Sequence, residues 1–198
     1  FHTEDLPRYD YDPARAEALL DEAGYPRGAD GVRFGLFIDP TQPAGPPKQS
    51  ADYIAQALNA IGIRATVRTQ DFATFVRRVY TDRDFDIAVE GMANLFDPTV
   101  GVQRLYWSKN FKPGVPFSNG AKYVSEETDR LLEAAAVEPN PQKRYDLFVE
   151  VQKQVVADLP ALDLVAPTAF LIHDRRVHGH TLGAEGFNRN GADIWIEQ

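Results

Sequence analysis

Between residues 32 and 92 the hydrophobic period of the chain alternates between two and about 3.6, and no other feature restricts its fold so tightly. "VRFGLFID" (32–39) sets Val32, Phe34, Leu36 and Ile38 on one face, as a strand does. A proline-rich loop, "PTQPAGPP", follows. Tyr53, Ile54, Ala57, Leu58 and Ile61 then mark a helix closed by Gly62. "IRATVRT" (63–69) puts Ile63, Ala65 and Val67 opposite Arg64, Thr66 and Arg68, again as a strand. Asp71 caps a further helix whose stripe is Phe72, Phe75, Val76 and Val79, and "FDIAVEGM" (85–92) reads as the third strand. Strands separated by helices with short links imply an α/β fold with a parallel sheet and right-handed crossovers.

Helices flank this unit. Asp12 and Pro13 form a cap followed by Ala16, Leu19, Leu20 and Ala23 at helical spacing, with Gly24 as the stop. Residues 98–107 fit a short helix. Ser125 precedes an acidic first turn and the stripe Thr128, Leu131, Leu132, Ala135. Asn140-Pro141 opens a longer helix carrying Tyr145, Phe148, Val149, Gln152, Val155 and Val156 on one face. Two or three strands are expected in 161–178, then a loop and a last strand at 193–196.

Charge and motifs exclude several classes of function. With 21 basic and 29 acidic residues the net charge is -8, opposite to what a nucleic-acid binder needs. No run of about 18 apolar residues is present, so no membrane insertion is expected. Cysteine is absent, which removes disulfides and thiolate metal sites. The start, "FHTEDLPRYDYDP", has neither an initiator methionine nor a charged-then-apolar leader, and suggests a mature protein or an excised fragment. The G-x-S-x-G elbow, G-x-G-x-x-G and the Walker loop are all missing, so neither an enzyme nor a cofactor is expected. "HDRRVHGH" is the one metal-like cluster: His173, His178 and His180 could bind nickel, zinc or a metal chelate, against the blander reading of a solvated edge. The acids of "DRDFD" read as caps and turns, and Arg77-Arg78 as a solvated face.

"MANLFDPTVGVQRLYWS" (92–108) leaves the end of the third strand, where open α/β sheets bind ligands. Met92 and Phe96 could wall a small-molecule site and Asn94 could orient its occupant. Leu95 and Phe96 fit equally well as cover for the sheet edge, and Asp97-Pro98 as a helix start.

A resemblance bears on that choice. "YDYDPARAEALLDEAGYPRGADG" resembles the Y-D-P-x-x-A-x-x-L-L-x-x-A-G-Y segment of periplasmic solute-binding proteins of the oligopeptide and dipeptide type, the receptors of ABC importers (solute-binding protein family 5). "RDFDIAVEGMANLFDP", "FSNGAKYVSEETDRLLEAA" and "KRYDLFVEVQKQVVADLPALDLV" are similar to later segments of the same family, in the same order.

The resemblance implies a two-lobed receptor of which residues 1–178 are the C-terminal substrate-binding lobe and 179–198 a return toward an N-terminal lobe of the same parent chain. It implies capture of a peptide or similar small solute in the periplasm by closure of the lobes, and delivery to a permease with its ATPase subunits. The ligand contacts it implies are Met92, Asn94, Leu95 and Phe96, with Trp107 and Asn119 beside them. Asn94 stands where peptide-binding members carry an acid for the peptide amine, and an amide offers no full charge. Members of the family also carry sugars, opines and nickel chelates.

Overall fold

The computed structural model describes residues 1–92, 97–101, 103–166, 170, 172–180 and 191–197. Its central sheet is parallel, with β1 (Phe34–Pro40) between β2 (Ile63–Val67) and β3 (Ile87–Val89). Register runs from Phe34 opposite Ile63 to Ile38 opposite Val67 on one side of β1, and from Ile38 opposite Ile87 to Pro40 opposite Val89 on the other. Helix α1 (Pro13–Glu22) precedes the sheet, its first turn closed by the Asp12 carboxylate accepting from the Arg15 amide at 2.9 Å.

Alternate strand residues point to opposite faces, and two apolar clusters use that alternation. Leu36, Ile38, Ile87 and Val89 pack with Ala51 and Ala55 of α2 (Pro46–Ala60). Ala88 packs on the other face with Phe75, Val79 and Tyr80, from α3 (Phe72–Val76) and the π-helical turn Arg77–Asp82 that continues it. The chain thus runs outward from β1 to β2 and returns past β1 to β3. The reversal in strand order falls between β1 and β3, and their carboxyl ends flank it.

A second core lies outside the sheet. α4 (Gln103–Tyr106), α5 (Glu126–Val137) and α6 (Pro141–Asp158) bury Tyr106, Leu131, Leu132, Ala135, Phe148, Val151 and Val155 together. Each fully buried leucine or phenylalanine contributes about 1.5–3 kcal/mol. The N-terminal residues close over α6: the Tyr145 hydroxyl donates to the His2 carbonyl at 2.8 Å, and Phe1 sits edge-on to Phe148 at 5.0 Å.

Four elements differ from expectation. α2 begins inside the proline-rich stretch, because Pro46 and Pro47 occupy first-turn positions whose amides need no partner and Gly45 enters at φ 77°. Val151, not Val149, completes the buried face of α6, which is what spacing from Phe148 and Val155 requires. β3 has only three residues because its partner β1 ends at Pro40, opposite Val89. Among the described residues of 161–178, only Val177–His178 (β4) is a strand, paired antiparallel with β5 (Trp195–Ile196). Apolar alternation there lacks a sheet edge to complete its hydrogen bonds, and Leu162, Leu164 and Val165 stay exposed.

Candidate functional site

The carboxyl ends of the three strands carry a set of polar groups that the flanking helices hold in place. Asp39, at the end of β1, is fully buried and receives three guanidinium hydrogen bonds. Arg68 donates through Nε at 3.2 Å and through Nη2 at 2.7 Å, and Arg78 donates through Nη1 at 2.8 Å. Arg78 also donates to the Gln70 side chain, and Arg68 to the Asp84 carbonyl at 2.6 Å. This cluster fixes the ends of β1 and β2 to the π turn. Thr41 joins β1 to β3, its amide and hydroxyl donating to the Val89 carbonyl at 2.9 and 2.8 Å.

Glu90 follows directly on β3. Both its oxygens accept from the Tyr80 hydroxyl at 2.8 Å. Burial pushes the Glu90 carboxyl above its ordinary value, against the opposing pull of the Tyr80 hydrogen bond and the Arg104 charge. The Tyr80 phenol is raised as well, first by burial and then by the Glu90 charge. Gly120 presses against the Tyr80 ring, where a Cβ would stand 2.8 Å from Cε1.

Of the six residues expected to touch ligand, Asn94, Leu95 and Phe96 lie outside the described residues. Met92 is half-buried, two residues past Glu90. Trp107 packs against the helical core and donates its indole N–H to Glu133 at 3.0 Å. Asn119 is 1% exposed, and its side-chain amide bonds to Trp107 and Tyr123. Nδ2 donates to the carbonyls of Tyr123 at 2.8 Å and Trp107 at 3.3 Å, while Oδ1 accepts from the Tyr123 amide at 2.9 Å. The structure therefore gives Asn119 an anchoring role in the 107–123 loop.

Asp97 behaves as the capping residue of its turn, accepting from the Thr99 amide at 2.9 Å and hydroxyl at 2.6 Å. Arg144 of α6 adds a hydrogen bond at 2.6 Å, and it is the main reason that the Asp97 carboxyl titrates far below the usual range. The turn at residues 97–101 is thereby tied to the helical core.

The acids of "DRDFD" are partners rather than caps: Asp82 binds Arg77, Asp84 binds Arg68, and Asp86 accepts from the Phe37 amide at 2.7 Å. Arg78, expected at a solvated face, reaches inward to Asp39 while its neighbour Arg77 stays exposed. The histidines divide. His173 and His180 have ring centroids 3.8 Å apart, whereas His178 stacks on Trp195 and contacts Glu197 at 3.2 Å. Among the described residues no group of three or more metal-ligating side chains converges. Nor is any of their helices long and apolar enough to cross a membrane. An open groove of about 630 Å³ lies between residues 5–7 and the α5–α6 pair, and none of the strand-end residues lines it.

Sequence reasoning missed Asp39, Tyr80 and Glu90. The signal was available in part: an acid at the last position of a buried strand, and a tyrosine within an apolar helix stripe, each need a polar partner.

Comparison with known proteins gives the following. Residues 1–113 match the family model for bacterial extracellular solute-binding proteins, family 5 Middle. The chain is 26% identical to heme-binding protein A of Haemophilus influenzae over 190 residues, 94% of this chain and 33% of that protein. It is 26% identical to a glutathione-binding protein of Salmonella paratyphi A, over 93% of this chain and 36% of that protein. It therefore spans about a third of the length of the curated relatives it matches. Among solved structures, the periplasmic binding protein DppA of Helicobacter pylori in complex with the peptide STSA superposes with a TM-score of 0.82. That match is 24% identical and covers 100% of this chain and 37% of the other.

Proposed function

This chain belongs to the bacterial extracellular solute-binding proteins of family 5, and from that premise we propose that it is one lobe of the substrate-binding component of an ABC importer. Its task is capture, with no catalysis of its own. A peptide or similar small solute is held in the periplasm between this lobe and the N-terminal lobe of the parent chain. The loaded receptor is then recognised by a membrane permease with its ATPase subunits.

The observation that carries this reading is where the 92–98 turn departs. The chain leaves β3 after Val89 at the reversal of strand order between β1 and β3, where open parallel sheets place ligands, and runs from there to Met92. In sequence, Met92, Asn94, Leu95 and Phe96 bring together the apolar residues and the amide of which small-molecule sites are composed. Asp39 and Thr41 stiffen the strand ends from which the chain runs on to Met92. Closure is a population shift: contacts available only when both lobes meet favour the closed state.

In this reading Trp107 belongs to the helical core and Asn119 anchors the 107–123 loop. The cargoes named for the relatives are heme and glutathione, and the choice of cargo in this chain falls to the turn. Calorimetric titration of a dipeptide panel into this chain and into the whole receptor tests the proposal. Binding is expected in the receptor and to be weak or absent in the lobe alone; equal, tight affinity in both refutes the half-site.

A further inference from the structure

Four histidines occur in the chain, and two of them meet. His173 and His180, on either side of β4, have ring centroids 3.8 Å apart at a tilt of 51°. His178 lies between them in sequence but is engaged elsewhere, stacked on Trp195 at 4.3 Å with its Nε2 3.2 Å from Glu197. Residues two apart on a strand share a face. Gly179 interrupts that rule: it takes φ 74°, where any Cβ would collide with the Asp193 carbonyl, and the histidines on either side of it go to different partners.

The two rings are prepared for a metal ion in different ways. His173 is exposed, and its Nδ1 lies 2.9 Å from the Asp174 carbonyl. A carbonyl only accepts, so Nδ1 carries the proton and Nε2 holds the free lone pair. Histidine ligands are commonly held in this way, by an oxygen acceptor behind the ring. His180 is half-buried, and its Nδ1 is shut off from water without a hydrogen-bond partner. A buried polar nitrogen in that condition is costly, and it calls for a group to bond.

We propose that His173 and His180 form a two-imidazole seat for a borderline divalent cation, nickel, copper or zinc, which clasps the β4–β5 hairpin. Imidazole nitrogen suits these ions, whereas magnesium and calcium take oxygen. Two imidazoles on one such ion hold their nitrogens about 3–3.5 Å apart, given metal–nitrogen bonds of about 2.0–2.1 Å. Rings already in contact come to that spacing by a change of rotamer at the exposed His173. The ion gives the orphaned His180 nitrogen its partner, takes Nε2 of His173, and completes its coordination with water. Asp174, the nearest acid in sequence, is engaged by Arg176 at 3.1 Å and is no part of the seat. What the ion supplies is support: β4 and β5 pair over two residues each, and a two-stranded hairpin is marginal by itself. The seat uses none of the strand-end residues, so it is independent of the receptor reading.

The other histidines are His2 and His178, so the double variant His2→Ala/His178→Ala leaves only the pair. Untagged and stripped of metal by a chelator, it is titrated by calorimetry with nickel chloride, and with magnesium chloride as the control. One nickel ion per chain and no magnesium should bind. Adding His173→Ala or His180→Ala should weaken nickel binding about tenfold or more, no less than the loss of an outer-shell partner does. Absence of nickel uptake by the double variant overturns the proposal, as does uptake that survives either added replacement.

Two measurements on the double variant itself need no further substitution. Titration with zinc chloride, followed by the imidazole proton resonances, should move both remaining rings together; one ring moving alone overturns the pair. The Glu197 amide donates across the hairpin to the Arg176 carbonyl at 2.9 Å, and its hydrogen exchange should slow when zinc is bound. Exchange unchanged by zinc overturns the clasp.

Discussion

Replacing Asp39 with alanine tests the base on which the strand-end site stands. The side chain is fully buried and accepts three hydrogen bonds from two guanidinium groups. Losing one partner of a buried charge pair costs about 3–5 kcal/mol when the survivors stay dry. Here the survivors have recourse. Arg68 is 19% exposed and keeps Asp84, and Arg78 is 25% exposed and keeps Gln70. The expected cost is therefore at the lower end, about 3 kcal/mol. For a chain of this size that corresponds to a fall of roughly 6–12 °C in Tm. Urea unfolding at pH 7 measures it, with Asp84→Ala as the control. Asp84 is 67% exposed, and its replacement should cost under about 1 kcal/mol. A cost below about 1 kcal/mol for Asp39→Ala, or equal costs for the two variants, refutes the idea that Asp39 organises the strand ends.

Two further outcomes are expected. Asn119→Ala strands the buried Tyr123 amide and two carbonyls, so about 2–4 kcal/mol of stability should vanish without any ligand present. A variant as stable as wild type that loses only solute affinity would return Asn119 to the binding surface. The Asp97 carboxyl is depressed chiefly by Arg144, so its stabilising contribution is complete above the ordinary value of 3.8 and disappears as pH falls below it. The side chain is 40% exposed, which limits the effect to about 1 kcal/mol; an acid-unfolding profile of Asp97→Asn parallel to wild type down to pH 2 contradicts it.

Much of the architecture was legible because its causes are local. Asp12, Asp71, Ser125 and Asn140 cap the helices that their positions announced, each through a side-chain oxygen accepting from the first-turn amides. The stripe Thr128, Leu131, Leu132, Ala135 is the buried face of α5 without exception. Reasoning failed where an element depends on a distant partner. The apolar stretch after α6 alternates like a strand, yet residues 161–166 join no ladder, since a strand exists only by pairing.

The site divides along the same line. The period change placed the end of the third strand at Met92, three residues beyond the observed end at Val89, and the residues expected after it, Asn94, Leu95 and Phe96, lie outside the described residues. The amino-acid order of family segments also identified kinship across nearly the whole chain. Glu90 and Tyr80 are ten residues apart in sequence, and Asp39 and Arg78 thirty-nine, so no periodic pattern links them. Asn119, which the resemblance set beside the ligand, is buried in the loop it anchors.

Sequence by itself determined the capped helices and the strand–helix alternation of residues 32–92, because caps and hydrophobic period act within a few residues. Only the tertiary structure decided strand order, which arginines would bind Asp39 and Asp97, and that Glu90 would accept from the Tyr80 hydroxyl. Those outcomes depend on which surfaces the folded chain brings together, and the electrostatic worth of each charge is set by that company and its distance from water.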